Sequence, residues 1–280
     1  MATIARERVF LKVLKKHTPG VVKKTVKALL ARLRSLWAKY RCPVCNSRVN
    51  AFQPLPAYFI ENPKKYGWPF KDEDAETCNV QDYSCPSCQA TDRDRLYALY
   101  LRDYVTRLQV EGLIKIVDFA PSLPLSRFIR KLRKDISYRT ADLFEEDVDD
   151  RVDITELRPY EDNQFDFFLC SHVLEHVPDD RKALRELYRI LKPGGRGILM
   201  VPIILSLTEI DEDPTVIDEG ERWRRFGQND HVRLYAKQGF VERMREAGFL
   251  VHECGREFFG QELFARNGIT DQSVLYVVEK

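Results

Sequence analysis

The chain has 280 residues, 44% of them hydrophobic and 31% charged, which suits one α/β domain of ordinary size with a smaller appendage and excludes extensive disorder. No apolar run approaches the ~20 residues that a membrane span requires. The net charge of +2 is unevenly placed: residues 1–41 carry twelve Lys or Arg against the single acid Glu7, so the remainder is net negative.

In the N-terminal arm, Val22, Val26, Leu29, Leu30, Leu33, Leu36, Trp37 and Tyr40 recur at helical spacing, and Lys23, Lys24, Lys27, Arg32, Arg34 and Lys39 fill most of the opposite side. The pattern predicts a basic amphipathic helix entered after Thr18-Pro19-Gly20. Its stripe can pack on the body, lie on an anionic membrane or dock a partner; a cleaved transit segment is the least favoured use. No secretory signal is visible. The expectation is a cytoplasmic protein with peripheral contact at the inner face of a membrane through residues 1–41. Oligomeric state is not legible.

Four of the seven cysteines form two knuckles, Cys42-Pro-Val-Cys45 and Cys85-Pro-Ser-Cys88, separated by 39 residues. Paired CPxC turns present four thiolates to one ion, so Cys42, Cys45, Cys85 and Cys88 are the expected ligands of a structural zinc. An odd cysteine count and the absence of a signal peptide disfavour disulfides. Cys78 lacks a partner at knuckle spacing. The insert from Ala51 to Tyr83 is aromatic (Phe52, Tyr58, Phe59, Tyr66, Trp68, Phe70) and is expected to pack over the main domain, shaping one wall of a cleft. The division expected is an arm at 1–41, a Cys module with a linking helix at 42–108, and a main domain at 109–280. Ahead of that helix (Leu96 to Leu108), Thr91-Asp-Arg-Asp-Arg95 reads by default as a solvated start with i,i+4 pairs. The alternative is that Arg93 or Arg95 faces the cleft and holds an anionic group.

In the main domain, Leu113–Val117 and Tyr138–Asp142 read as strands. Only eleven residues separate Asp142 from Asp153, so the second crossover is shortened to an acidic loop, Glu145–Asp150, read as a solvated turn. Asp142 lies 22 residues beyond Ala120, near the spacing at which a carboxylate accepts hydrogen bonds from a ribose. From Phe165 to Pro202, FDFFLCSHVLEHVPDDRKALRELYRILKPGGRGILMVP describes a strand, a polar turn, a helix stopped at Pro193-Gly194-Gly195 and a second strand. Such a crossover places the two strands parallel in one sheet. Asp166 reads as a structural cap.

The order and spacing of "FD", "LEHV" and "LKPGG" in that run resemble the class I S-adenosylmethionine (AdoMet)-dependent methyltransferases of the type 11 kind, here with an N-terminal zinc-ribbon-like module of four cysteines. The resemblance covers residues 113–280, with weaker support across the Cys module. It implies a Rossmann-like α/β fold with a seven-stranded sheet and AdoMet as cofactor. The first strand would lead into a turn over the methionine part, Asp118-Phe-Ala120-Pro-Ser122, in which Ala120 and Ser122 replace the usual glycines. Asp142 would meet the ribose, Asp153 and Ile154 the adenine, and Ser171 and His172 the end of the fourth strand. An "FAP" turn and the string "FGQxDHVRLY" resemble one subgroup of these enzymes.

His172-Val-Leu-Glu175-His176 also matches the HxxEH pattern of zinc peptidases, which needs both histidines on a continuing helix. His172 follows a strand and Pro178 would break a helix, so a metal is not expected there. Either histidine can face the transferred methyl or merely order the turn.

After the fifth strand a polar excursion, Ser206 to Asp230, leads to His231-Val-Arg233-Leu-Tyr235, a helix (Lys237 to Ala247) and two closing strands, Leu250–Cys254 and Val274–Val278. Excursions of this length are often functional lids. The expected general base is His231 held by Asp230, with His172 and His176 as rivals. Arg222, Arg233 and Tyr235 are the expected acceptor-binding residues. The activity expected is O-methylation of a small or saccharide-linked acceptor, phosphorylated or nucleotide-linked, in surface-polysaccharide assembly. The alternatives are an RNA methyltransferase gripping through the zinc module, which the negative body disfavours, and a non-catalytic binding module.

Overall fold

The computed structural model describes residues 38–109 and 111–280. The basic helix expected over Val22–Tyr40 lies outside the described residues as far as position 37; Tyr40 itself opens a two-residue strand, Tyr40–Arg41, paired antiparallel with Arg48–Val49.

Seven strands form the central sheet: β1 (Ile114–Phe119), β2 (Ile136–Asp142), β3 (Asp150–Arg151), β4 (Phe165–Ser171), β5 (Leu191–Met200), β6 (Leu250–Cys254) and β7 (Leu275–Glu279). Their order is β6-β7-β5-β4-β1-β2-β3. β1 to β5 are mutually parallel, and β7 runs antiparallel to both β5 and β6. This is the Rossmann-like α/β sheet that the sequence predicts. β4 is buried along its length up to Cys170, as a parallel strand covered on both faces must be. Gly197 in β5 has a packing reason, because a Cβ there would stand 2.3 Å from the ring of Phe168.

The helices, in chain order, are α1 (Tyr58–Lys65), α2 (Asp92–Arg107), α3 (Leu123–Ile129), α4 (Asp180–Ile190), α5 (Glu219–Phe226) and α6 (Lys237–Glu246), followed by two short ones at Arg256–Phe259 and Gln261–Asn267. The α4 helix ends at Ile190, before the expected stop at Pro193, and β5 begins at once. No helix joins β2 to β3. The loop between them is tied down rather than merely solvated, since Asp149 accepts from Thr140 and Asp150 from Arg139 and Tyr160. Asp166 caps structurally, accepting from the Lys115 amide and from Lys192.

Thr91 and Asp94 form a capping box that starts α2. Leu96, Tyr97, Tyr100, Leu101 and Val105 of this helix belong to the same core as the sheet, so the Cys module joins the main domain through a shared helix. Arg95 is fully buried and donates to five backbone carbonyls: Asp82, Tyr83 and Ala90 of the module, and Asn267 and Gly268 at the far end of the chain. It is a structural tie and does not face a cleft. The insert continues past the carboxyl end of β5, with Ala75 bridging Ile204 and the Glu76 amide bonding to Ile203. Among the described residues, no helix is long and apolar enough to cross a membrane.

Candidate active site

The chain leaves β1 toward β2 on one side and β4 toward β5 on the other, so the carboxyl ends of β1 and β4 flank the topological switch point, where open α/β sheets bind ligands. Both turns there hold a non-glycine residue in the left-handed region, Ala120 at φ +53° and His172 at φ +57°. Ala120 thus adopts the backbone shape usually left to glycine, at the cost of some strain. Between the turns lies a cavity of about 130 Å³ lined by Asp94, Tyr97, Asp118, Ala120, Ser171 and His172, among others.

Burial pushes Asp118 up to about 7, against a hydrogen bond from the Tyr138 hydroxyl at 2.6 Å. Ser122 caps α3 and donates to Asp94. Asp142 ends β2 with Oδ1 accepting from the Phe144 and Glu145 amides. Asp153 holds Thr155 in the same manner, and Ile154 is buried. Leu143 and Phe144, beside Asp142, expose 44% and 81% of their surface, an apolar face that a flat base can cover. The Ala120 amide bonds the Ala141 carbonyl, so Asp142, Leu143 and Phe144 lie beside the turn after β1, outside the cavity lining; carboxylates and exposed apolar groups there fit an adenosine-bearing cofactor.

A second cavity, of about 330 Å³, adjoins the first. The aromatic insert supplies one wall through Leu55, Phe59, Trp68 and Tyr83, and Ile203, Ile204 and Phe226 line the other. Arg93 and His172 line both cavities. The Arg93 guanidinium donates to Tyr83 at 3.1 Å, and among the described residues it has no carboxylate within ion-pair distance. Arg93 therefore faces the cleft, as the second reading of the charged run expects.

The strings HVLEH and QNDHVR, far apart in the chain, meet beside this second cavity. Leu174–His176 is a single 3₁₀ turn, not a continuing helix, so His172 and His176 do not converge as a peptidase pair. Glu175 is fully buried. His172 Nδ1 lies 3.1 Å from one of its oxygens, yet neither oxygen has a well-directed hydrogen bond. Burial, reinforced by the Arg93 cation, pushes His172 down to about 4. Burial would raise Glu175, but His172 and the two other histidines hold it at about 2.

The expected pairing of His231 with Asp230 is not formed. Asp230 is exposed and faces His176 Nδ1 at 3.3 Å, whereas His231 is held by the Phe226 carbonyl at 3.0 Å and by Gln228. The acceptor roles given to Arg222, Arg233 and Tyr235 also need correction, since none of the three lines either cavity. Arg233 is buried and donates to the carbonyls of Leu174, Val177 and Pro178 and to Glu212. Tyr235 bonds Asp180, and Arg222 closes the excursion on Val216 and Asn229. A strand pair, Asp211–Glu212 with Arg233–Leu234, explains this use: these residues staple the excursion onto the turn after β4.

The four knuckle sulfurs converge within 4.8 Å of one another. Cys42 and Cys88 are 3.8 Å apart and Cys45 and Cys85 3.9 Å apart, far beyond a disulfide and close to the edge of a tetrahedron with ~2.3 Å zinc–sulfur bonds. The Cys85 thiol is pulled well below the ordinary range by Cys42 and Cys88. Cys78 stands apart, lining the larger cavity, and burial pushes it up to about 12.

Residues 124–199, from the first turn of α3 through most of β5, match the family model described as a methyltransferase domain. Over that segment the chain is similar to methyltransferase domains. The ubiquinone/menaquinone biosynthesis C-methyltransferase UbiE of Pasteurella multocida is 32% identical over 108 residues, 34% of this chain and 40% of that protein. UbiE of Rickettsia akari is 36% identical over 80 residues, 28% of this chain and 32% of that protein. The chain thus spans well under half the length of these relatives. An S-adenosylmethionine (SAM)-dependent methyltransferase of known structure from Archaeoglobus fulgidus superposes at a TM-score of 0.41 and 16% identity, over 67% of this chain and 94% of that one. The segment matched to the methyltransferase domain includes β2, β3, β4 and α4. The insert and the excursion, which build the larger cavity, fall outside it.

Proposed function

We propose that this protein is an S-adenosylmethionine-dependent methyltransferase acting on a small acceptor with a largely apolar body and one polar or anionic group. The observation that carries this reading is that two adjoining cavities share one wall, made by Arg93 and His172. The cofactor, when bound, supplies a methyl group activated by its sulfonium. Ala120, Ser122 and Asp118 would hold it in the smaller cavity, with Asp142 beside them. The aromatic insert would seat the acceptor and exclude water, and Arg93 would orient its polar end. His172, a neutral imidazole at the shared wall, is placed to accept a proton from an acceptor hydroxyl, with Glu175 orienting the ring.

A phosphorylated or nucleotide-linked sugar rested on Arg222 and Arg233, and both are engaged inside the excursion. The lining of phenylalanine, tryptophan, leucine and isoleucine suits an apolar or aromatic acceptor instead. The four-cysteine cluster would hold one zinc saturated by thiolates, and therefore structural.

The test is transfer of labelled methyl from AdoMet to a panel containing hydroxylated aromatic acids, nucleotide sugars and RNA. Transfer to the aromatic acids is expected, with Arg93→Ala losing at least ~10-fold in transfer at saturating AdoMet. Transfer confined to sugars or RNA overturns the acceptor assignment.

A further inference from the structure

We propose that Glu175, His176 and His231 form a binding site for a first-row divalent transition cation, such as Zn²⁺ or Fe²⁺, at the edge of the acceptor cavity. One ligand atom from each residue lies within 4.8 Å of the other two. The two histidines are prepared for this in the same manner. The Phe226 carbonyl can only accept, so the His231 Nδ1 facing it at 3.0 Å carries the proton. Asp230, 3.3 Å from His176 Nδ1, imposes the same tautomer there. Each ring is left with Nε2 as its lone pair, which is how metal-ligating histidines are set by outer carboxylates and carbonyls.

Glu175 gives the independent observation. Its side chain is 1% exposed, and neither carboxylate oxygen has a directed hydrogen-bond partner. A buried carboxylate with only the His172 ring beside it, 3.1 Å away and not well directed, costs several kcal/mol by order of magnitude, and a cation relieves that cost. The backbone around the three residues is clamped from both sides: the Val232 amide bonds the Glu175 carbonyl at 2.9 Å, and Arg233 gathers the carbonyls from Leu174 to Pro178. One carboxylate with two imidazoles selects zinc-, iron- or cobalt-like ions over magnesium or calcium. Gln228, 2.6 Å from His231 Nε2, would turn aside or present its amide oxygen. His231 also lines the larger cavity, so the cluster adjoins the place proposed for the acceptor. Activation of an acceptor oxygen by the ion would rest on the methyltransferase reading, whereas binding of the ion does not.

The test is a Co²⁺ titration of the full chain as purified, followed by absorption and elemental analysis. Cobalt in the four-cysteine cluster shows intense thiolate-to-metal bands; the proposed site shows only weak nitrogen–oxygen ligand-field bands. About one equivalent of the second kind is expected. His176→Ala, a change at a half-exposed residue, and the near-isosteric Glu175→Gln should each abolish it. Asp230→Asn should weaken it by ~10–100-fold, and Cys45→Ser should leave it in place. Wild type with no cobalt outside the thiolate bands overturns the site, as does a second cobalt that survives both His176→Ala and Glu175→Gln. AdoMet titration of the same samples reads the methyltransferase proposal separately, so either failure is recognised alone.

Discussion

Asp118 is one residue whose protonation the fold perturbs in a window accessible to experiment. Its folded value near 7 stands above the ordinary aspartate value, so between about pH 4 and 7 the native state binds more protons than the unfolded chain. Its contribution is fully present below the unfolded pKa and lost as pH rises through the folded one. Asp118→Asn should therefore flatten the pH dependence of stability across that window, by about 3–4 kcal/mol in order of magnitude. Urea unfolding at pH 4 and pH 8 checks this; parallel profiles for wild type and variant would contradict it. At this scale the sequence was informative where chemistry is carried by spacing. The CPxC pairs named four sulfurs that the structure brings together, and the HVLEH and DHVR strings named residues that meet. Who pairs with whom was not legible. Asp230 is adjacent to His231 in sequence yet faces His176 Nδ1, while His231 turns its own Nδ1 to the Phe226 carbonyl.

Among the elements, the strap after β5 shows why charge was misread as recognition. Arg233 and Arg243 bracket Glu212 and Asp180 in a buried network, and Arg233 also caps the exposed carbonyls of the turn after β4. Removing it strands those carbonyls, so Arg233→Ala should destabilise the protein by about 2–4 kcal/mol. Denaturant unfolding should show that loss; unchanged stability with acceptor affinity alone weakened would restore the substrate role. Polar and ionisable residues in a long excursion look alike whether they face a ligand or a buried ion network, and only their partners separate the two. The sheet was far easier to read. β1, β2, β4 and β6 lie within two residues of the expected bounds at each end, since the apolar run of β4 and the turn residues that flank the mixed strands leave little choice. The α5 helix, in contrast, is short and highly charged, and the stacking of Trp223 against Tyr66 that steadies it comes from a distant segment.

For the whole molecule, the Cys module is a wall of the acceptor cavity as well as an appendage. Arg95 links it to the far end of the chain, and the insert that it closes lines the larger cavity. Purified protein should carry about one thiolate-bound zinc per chain, and a chelator or thiol reagent that removes it should lower the melting temperature. Metal-free protein of unchanged stability would end that reading. Arg95→Ala should cost at least ~3 kcal/mol, because several buried carbonyls lose their donor together. A loss below ~1 kcal/mol in urea unfolding would mean that the module docks by other means.

The proposed cofactor site joins the switch-point cavity to Asp142 at the end of the neighbouring β2. Asp142→Asn keeps an oxygen for the Phe144 and Glu145 amides while removing the second carboxylate acceptor. Calorimetric titration of AdoMet into wild type and this variant is the most direct measurement. The account predicts about one equivalent bound to wild type and ~10–100-fold weaker binding to Asp142→Asn, the loss of a charge-assisted ribose contact of about 1.5–3 kcal/mol. No heat with wild type, or equal affinity in both, would contradict it.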